Sequence, residues 1–365
     1  MQGPTKWKPD WEATKRHLSS WWDRKGLVVN IASPARKPRE NFPPMPKPAD
    51  PQAFHMDPHY QVGDALHQLS REALLGDNFP MFLPFCGPGS LGTFLGATPH
   101  FSFETVWYEP CIGDPESYGP IRRFDPRNNP WWDAHLAKID EAKKYAAGRF
   151  IIGMPDLIEN LDVLAALRGS EHVLMDLIER PAWVHKSLEE INEAFFAAFD
   201  ALDDLIGVDG GNGFCFGLWG PGRTAKVQCD LCCMLSPGMF REFVMPSLSA
   251  QCQWLDYSMY HLDGETALQH LDALLEIEAL DAIEWTPMGA SVRDPSRPRG
   301  GSPHWYDMYR RIKRAGKSVQ VIGVEEAEVI PLIEAVGPEG LYIFTSLDAP
   351  AAEKLAEKLK QYQTA

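Results

Sequence analysis

From about residue 60 onward, short β-prone apolar runs alternate with amphipathic helical ones, and this alternation limits the fold more than any other feature. Phe79–Phe85, Phe150–Met154, Gly213–Leu218, Ser258–His261, Ala282–Trp285, Ser318–Ile322 and Leu341–Phe344 read as strands. Helical spacing appears at Asn160–Leu167, Ser170–Glu179 and Pro181–Leu205. Ser236-Pro237 opens a further helix, with serine as N-cap and proline at the first helical position. Trp219-Gly220-Pro221-Gly222 reads as the turn after its strand. Strand followed by helix over about 300 residues, without a dinucleotide fingerprint, predicts an α/β fold of the parallel (β/α)8 TIM barrel type. A doubly wound sheet is the alternative.

The barrel is expected over residues 61–365, with residues 1–60 as an N-terminal extension packed on it. Within the extension, Trp11–Arg24 reads as a helix and Leu27–Ile31 as a strand. Residues 33–58 are proline-rich and suggest an arm wrapping a surface. No internal repeat or low-complexity tract interrupts the chain.

Composition narrows the partners. With 44% hydrophobic and 11% aromatic residues, the chain can bury a substantial core. A net charge of -15 argues against nucleic acid or an anionic membrane as partner. No apolar run approaches the roughly 20 residues of a membrane span, and the N-terminus lacks a signal-peptide core, so a cytoplasmic location is expected. Seven cysteines, an odd number, suit a reducing compartment. The Cys229–Cys233 cluster holds one CxxC without the second pair that a structural zinc site needs.

In a barrel of this type the chemistry sits at the C-terminal ends of the strands. The polar residues expected there are Asp156, Glu159, Asp230, His261, Asp263, Glu284 and Glu325, with Trp107, Tyr108, Trp219 and Trp285 as aromatics. A single loop carboxylate is more often simply solvated, and a lone histidine is more often structural. The combination carries more weight. His261 and Asp263 share one strand end, Glu284 falls on the next strand, and neighbouring strands lie about 5 Å apart. Their side chains can therefore meet at one point.

Three groups of segments stand out: Asp230 with Ser236-Pro237-Gly238-Met239-Phe240-Arg241-Glu242-Phe243 and Pro246; Leu161–Gly169 followed by Asp176–Pro181; and His261-Leu262-Asp263-Gly264 with Leu271–Trp285. Together they resemble the uroporphyrinogen decarboxylase superfamily. The resemblance implies a barrel fold shared by decarboxylases and by zinc-dependent methyltransferases that work alongside methylcobalamin. In those methyltransferases a His-x-Cys pair, sometimes a Glu on the next strand, and a late Cys hold zinc. Here His261 and Glu284 match, Asp263 replaces the first Cys, and the late position falls near Thr345–Asp348, which has no thiol. A harder set of one imidazole and two carboxylates suits Zn²⁺, Mn²⁺ or Fe²⁺, or metal-free acid/base work. The acidic-side-chain-binding Arg segment of true decarboxylases has no counterpart in residues 33–60. The corrinoid box is only nearly matched at Asp57–Gly63, so a corrinoid would come on a partner protein.

The first reading is a methyltransferase-type enzyme acting on a small methylated compound or a methyl-corrinoid partner. In it His261, Asp263 and Glu284 hold a divalent metal, Asp263, Glu284 and Asp230 are catalytic, and a homodimer is expected. The second is a glycoside hydrolase using strand-end carboxylates, with Trp219 and Trp285 as sugar platforms. Substrate contacts would come from Trp219, Trp285, Asp156, Glu325 and Trp107. A non-catalytic binding barrel is the third reading.

Overall fold

The computed structural model describes residues 1–287 and 297–362. Its strands in chain order are β1 (Leu27–Ala32), β2 (Leu75–Gly76), β3 (Met81–Phe82), β4 (Thr98–Phe101), β5 (Val106–Glu109), β6 (Ile151–Ile152), β7 (Gly211–Phe214), β8 (Leu218–Pro221), β9 (Thr224–Val227), β10 (Tyr257–Asp263), β11 (Ala282–Thr286), β12 (Ser318–Val324) and β13 (Leu341–Ser346). Seven of these form one sheet in the order β2-β1-β13-β12-β11-β10-β9. Every ladder in it is parallel except β1 with β2.

Parallel neighbours need a crossover, and helices supply it. Met245–Trp254 joins β9 to β10, Leu271–Glu276 joins β10 to β11, and Glu326–Val336 joins β12 to β13. The protein is thus α/β with a mostly parallel central sheet. Where the sequence suggested an uninterrupted eight-stranded barrel, the short strands pair separately. β3 pairs with β6 in parallel, and Met154 N–H donates to Gly213 O at 2.8 Å, carrying the connection on to β7. Asn212 then brackets Thr224, donating to its carbonyl (2.6 Å) and accepting from its N–H (2.9 Å).

Two local outcomes differ from the sequence reading. The expected strand Gly213–Leu218 is instead a hairpin: β7 pairs antiparallel with β8, with Phe214 opposite Leu218. Phe216 (φ 63°) and Gly217 (φ 65°) make the reversal through the left-handed region. The expected N-terminal extension supplies β1, which lies inside the sheet between β2 and β13, so residue 60 does not divide the extension from the sheet.

The helix Trp11–Trp22 buries Trp11, Trp21 and Trp22. Trp22 donates to the carbonyl of Trp219 (3.0 Å), and the Trp11 ring meets the Trp219 ring edge-on at 5.7 Å. In the proline-rich stretch, Asp50 and Asp57 cap the helices Pro51–Met56 and Pro58–Leu69. That capping accounts for the aspartate of the near-match to a corrinoid box. Ser236 caps its helix as expected, and the next turn, Phe240–Val244, is π-helical just ahead of Pro246. A proline cannot donate to the preceding turn, and a bulge there relieves the ladder. Among the described residues no helix is long and apolar enough to cross a membrane.

Candidate active site

On β10, Met259, Tyr260 and Leu262 are buried, while His261 is partly open and Asp263 exposed. In the parallel ladder with β11, His261 lies opposite Glu284 and Asp263 opposite Thr286. Gly264 follows with φ 80°, a turn that only glycine adopts without strain, and its N–H bonds to Thr286 O at 2.9 Å. The turn releases the chain just as Asp263 reaches the strand end.

Glu284 is fully buried, and its Oε2 is hydrogen-bonded to Nδ1 of His261. Its Oε1 accepts from the Thr286 hydroxyl at 2.7 Å. The carboxylate thus fixes the imidazole rotation, and among the described residues no hydrogen-bond partner meets Nε2. Phe216 packs against the same ring, centroids 4.7 Å apart, and its carbonyl is held by Gln320 Nε2 at 2.8 Å. Burial works against a charged His261, but the bond to Glu284 and its negative charge outweigh burial, so the pKa lies above its ordinary 6.5.

His261 opens onto a cavity of about 340 Å³, lined also by Asp230, Asp263, Tyr260, Thr266, Cys229, Cys232 and Cys233. Asp230 and Cys233 also line a second cavity of about 400 Å³, together with Trp107, Tyr108, Asp162 and Met234. The two hollows meet at the short 3₁₀ helix Asp230–Met234. The sequence singled out the residues at that junction, but not what holds them in place.

The clamp comes from the start of the helix Asn160–Arg168. Asp162 accepts from the backbone N–H of Asp230 (2.7 Å) and of Leu231 (2.9 Å). Glu159, fully enclosed, accepts from Gln228 N–H. Burial pushes the Glu159 carboxyl up to about 8 and the Asp162 carboxyl up to about 6, the latter helped by the neighbouring charge of Asp230. Ile158 (φ 54°) and Asn160 (φ 55°) take left-handed backbone on either side of Glu159. A β-branched residue held there marks local strain, of a kind that clusters at functional sites.

Lys226, on β9, is a participant that sequence reasoning missed. It is 1% exposed and lies 2.8 Å from Asp156. Burial disfavours its charge, but Asp156 and the surrounding acids outweigh that and raise its pKa. Burial raises the Asp230 carboxyl, and the positive charges of His261 and then Lys226 oppose that without cancelling it. The available signal was a lysine inside the short Thr224–Val227 segment, which was not among the expected strands.

The expected site residues therefore divide. His261, Asp263 and Asp230 line one cavity, while Glu284 stands behind His261 as its orienting partner. Trp107 is 51% exposed and lines the second cavity. Asp156 belongs to the ion pair with Lys226. Glu325 caps the helix Glu326–Val336 and pairs with Arg299 at 3.1 Å, so it serves a helix end. Trp219 (3% exposed) and Trp285 (0%) are core residues, the latter packed on Trp305 with centroids 4.9 Å apart. Neither presents a face to a ligand, and the hydrolase reading loses both sugar platforms.

Nδ1 of His261 and both oxygens of Glu284 are engaged with protein partners. Among the described residues no group of three His, Cys, Asp or Glu side chains is arranged to hold a metal ion. The residues as placed do not fit a centre built on His261, Asp263 and Glu284.

Comparison with known proteins gives a likeness of structure and none of sequence family. No protein family and no curated protein matches the chain. Among solved structures, a methyltransferase from Methanosarcina mazei matches over 95% of this chain and 99% of its own, with a TM-score of 0.62 and 14% sequence identity. At that identity the likeness establishes a shared fold across nearly the whole of both chains.

Proposed function

We propose that the protein is a methyltransferase-type enzyme whose acceptor binds in the cavity beside His261. The observation that carries this reading is the His261–Glu284 pair, an imidazole oriented by a buried carboxylate on a residue that lines a solvent-reachable hollow. The fold shared with a methyltransferase supports it. So does the resemblance of residues 60–360 to a superfamily that contains such enzymes, which also favours closure of the strands into a (β/α)8 barrel.

In this mechanism the acceptor, a thiol or hydroxyl, lies against Nε2 of His261. As the acceptor atom attacks the methyl carbon, its proton passes to Nε2, and the donor leaves with the electron pair of the broken bond. A raised histidine pKa suits a proton acceptor. Glu284 stabilises the imidazolium that forms and keeps the tautomer correct. Asp230 and Asp263 orient the reactants at the rim. The methyl donor is a small methylated compound or a methyl-corrinoid brought by a partner protein, and no step runs through a metal.

The test is a panel of ¹³C-methyl donors, with O-, N- and S-methyl compounds and a methyl-corrinoid, incubated with thiol acceptors and followed by NMR. Transfer by the wild type that disappears in His261→Ala supports the reading. Transfer unaffected by His261→Ala, or no transfer from any donor alongside another turnover of the same compounds, refutes it.

A further inference from the structure

A separate group of reactive side chains lies outside this site, where the loop after β3 meets the helix Pro130–Ala146. Lys138 is 0% exposed. Its ammonium donates to Phe85 O (2.5 Å), to His55 O, and to the sulfur of Cys86 at 3.1 Å. Among the described residues no carboxylate pairs with it. Burial pulls the Lys138 pKa below its ordinary 10.5, and the Cys86 sulfur is the group that opposes this by supplying counter-charge.

His135 stands on the same helix, one turn earlier. Its Nδ1 is 2.6 Å from Trp131 O and 3.7 Å from Cys86 Sγ, and its Nε2 is 2.8 Å from Ser90 Oγ. A histidine donating from Nδ1 places positive density toward the sulfur. Tyr108 is the titratable group facing Cys86 from β5. Burial alone would raise the thiol, but His135 and Lys138 reverse that and bring it down to about 7. The other cysteines with resolved shifts go the opposite way: Cys215, Cys229, Cys232, Cys233 and Cys252 are all raised, burial being the leading cause.

We propose that Cys86 and Lys138 form a thiolate–ammonium pair that makes Cys86 a modification site for small hydroperoxides. Cys86 is 8% exposed as a residue, which restricts the proposal to small reagents. The thiolate attacks the distal peroxide oxygen, an S–O bond forms and the O–O bond breaks. Lys138 gives a proton to the departing oxygen. Cys86 is oxidised to the sulfenic acid, the hydroperoxide is reduced to water or an alcohol, and Lys138 is left as the neutral amine.

The exposed Cys233 makes the test sharp, because accessibility alone ranks the two thiols in the reverse order. Native protein is treated at pH 7 with substoichiometric hydrogen peroxide, quenched, unfolded in the presence of a 1,3-diketone trap, and mapped by peptide mass spectrometry. Cys86 is expected to carry at least about tenfold more trap than Cys233. Folded Lys138→Gln should lose that advantage. Labelling of Cys233 ahead of Cys86, or an unchanged Cys86 rate in folded Lys138→Gln, overturns the proposal. If Lys138→Gln does not fold, alkylation of the wild type by iodoacetamide against pH decides. A Cys86 midpoint near neutrality supports the pair, and one at or above the ordinary 9.0 of a thiol overturns it.

Discussion

Nδ1 of His261 is hydrogen-bonded to Oε2 of Glu284, the residue directly opposite it in the parallel ladder between β10 and β11. A bond between register partners needs no long side-chain reach, so the sheet itself sets the orientation of the imidazole. Glu284→Gln keeps the shape and removes the charge. Methyl transfer should fall by at least about 10²-fold, because the imidazolium loses its stabilising partner. Rates for the wild type and Glu284→Gln at saturating donor and acceptor check this.

The same pair has a signed effect on stability. The folded pKa of His261 lies above its ordinary 6.5, so the pair's contribution is complete below that value and fades as pH rises through the higher folded midpoint. Denaturant unfolding of the wild type and Glu284→Gln should show the wider gap on the acid side and a narrowing gap on the alkaline side.

Glu159 behaves in the opposite sense to an ion-paired carboxylate. Its folded pKa of about 8 exceeds its ordinary 4.5, so the native state holds a proton that the unfolded chain releases between those values. Its contribution therefore declines as pH rises from 4.5 to 8. The slope is at most about 1.4 kcal/mol per pH unit. Asp162, raised to about 6, acts in the same direction over a narrower window. Glu159→Gln retains an acceptor for Gln228 N–H and should flatten the dependence, as urea midpoints at pH 5 and pH 8 will show.

Lys226 and Asp156 should be strongly coupled. Lys226→Met leaves a carboxylate enclosed without its cation and should cost about 3–5 kcal/mol. Adding Asp156→Asn should recover a large part of that loss. A double-mutant cycle by chemical denaturation measures the coupling, and additive single-mutant effects would count against it.

The tryptophans should separate by role. Trp285→Ala and Trp219→Ala empty core volume and should each destabilise by about 3–5 kcal/mol. Trp107→Ala, at an exposed cavity wall, should leave the melting temperature nearly unchanged while weakening any ligand that enters the second cavity. Thermal melts with and without the active donor distinguish these outcomes.

Much of this was legible in the sequence because period and punctuation are local. The strand stretches around β1, β10, β11, β12 and β13 were marked by apolar runs, and two consecutive strand ends suggested that His261, Asp263 and Glu284 could converge. The interior was not legible, since it depends on which faces meet across long separations. Trp219 reads like a turn aromatic until the Trp11–Trp22 helix is seen packed on it. Glu284 reads like a ligand until its two oxygens are found bonded to His261 and Thr286. Lys226 was overlooked because a four-residue strand holding a lysine does not look apolar, and only Asp156, brought in from another strand end, makes its burial affordable.

The most direct measurement is an NMR titration of the His261 ring nitrogens in ¹⁵N-histidine-labelled protein, wild type against Glu284→Gln. The account predicts an Nδ1-protonated ring that titrates above 6.5 in the wild type and at a lower pH in the variant. A midpoint at or below 6.5 that does not move in Glu284→Gln would contradict it.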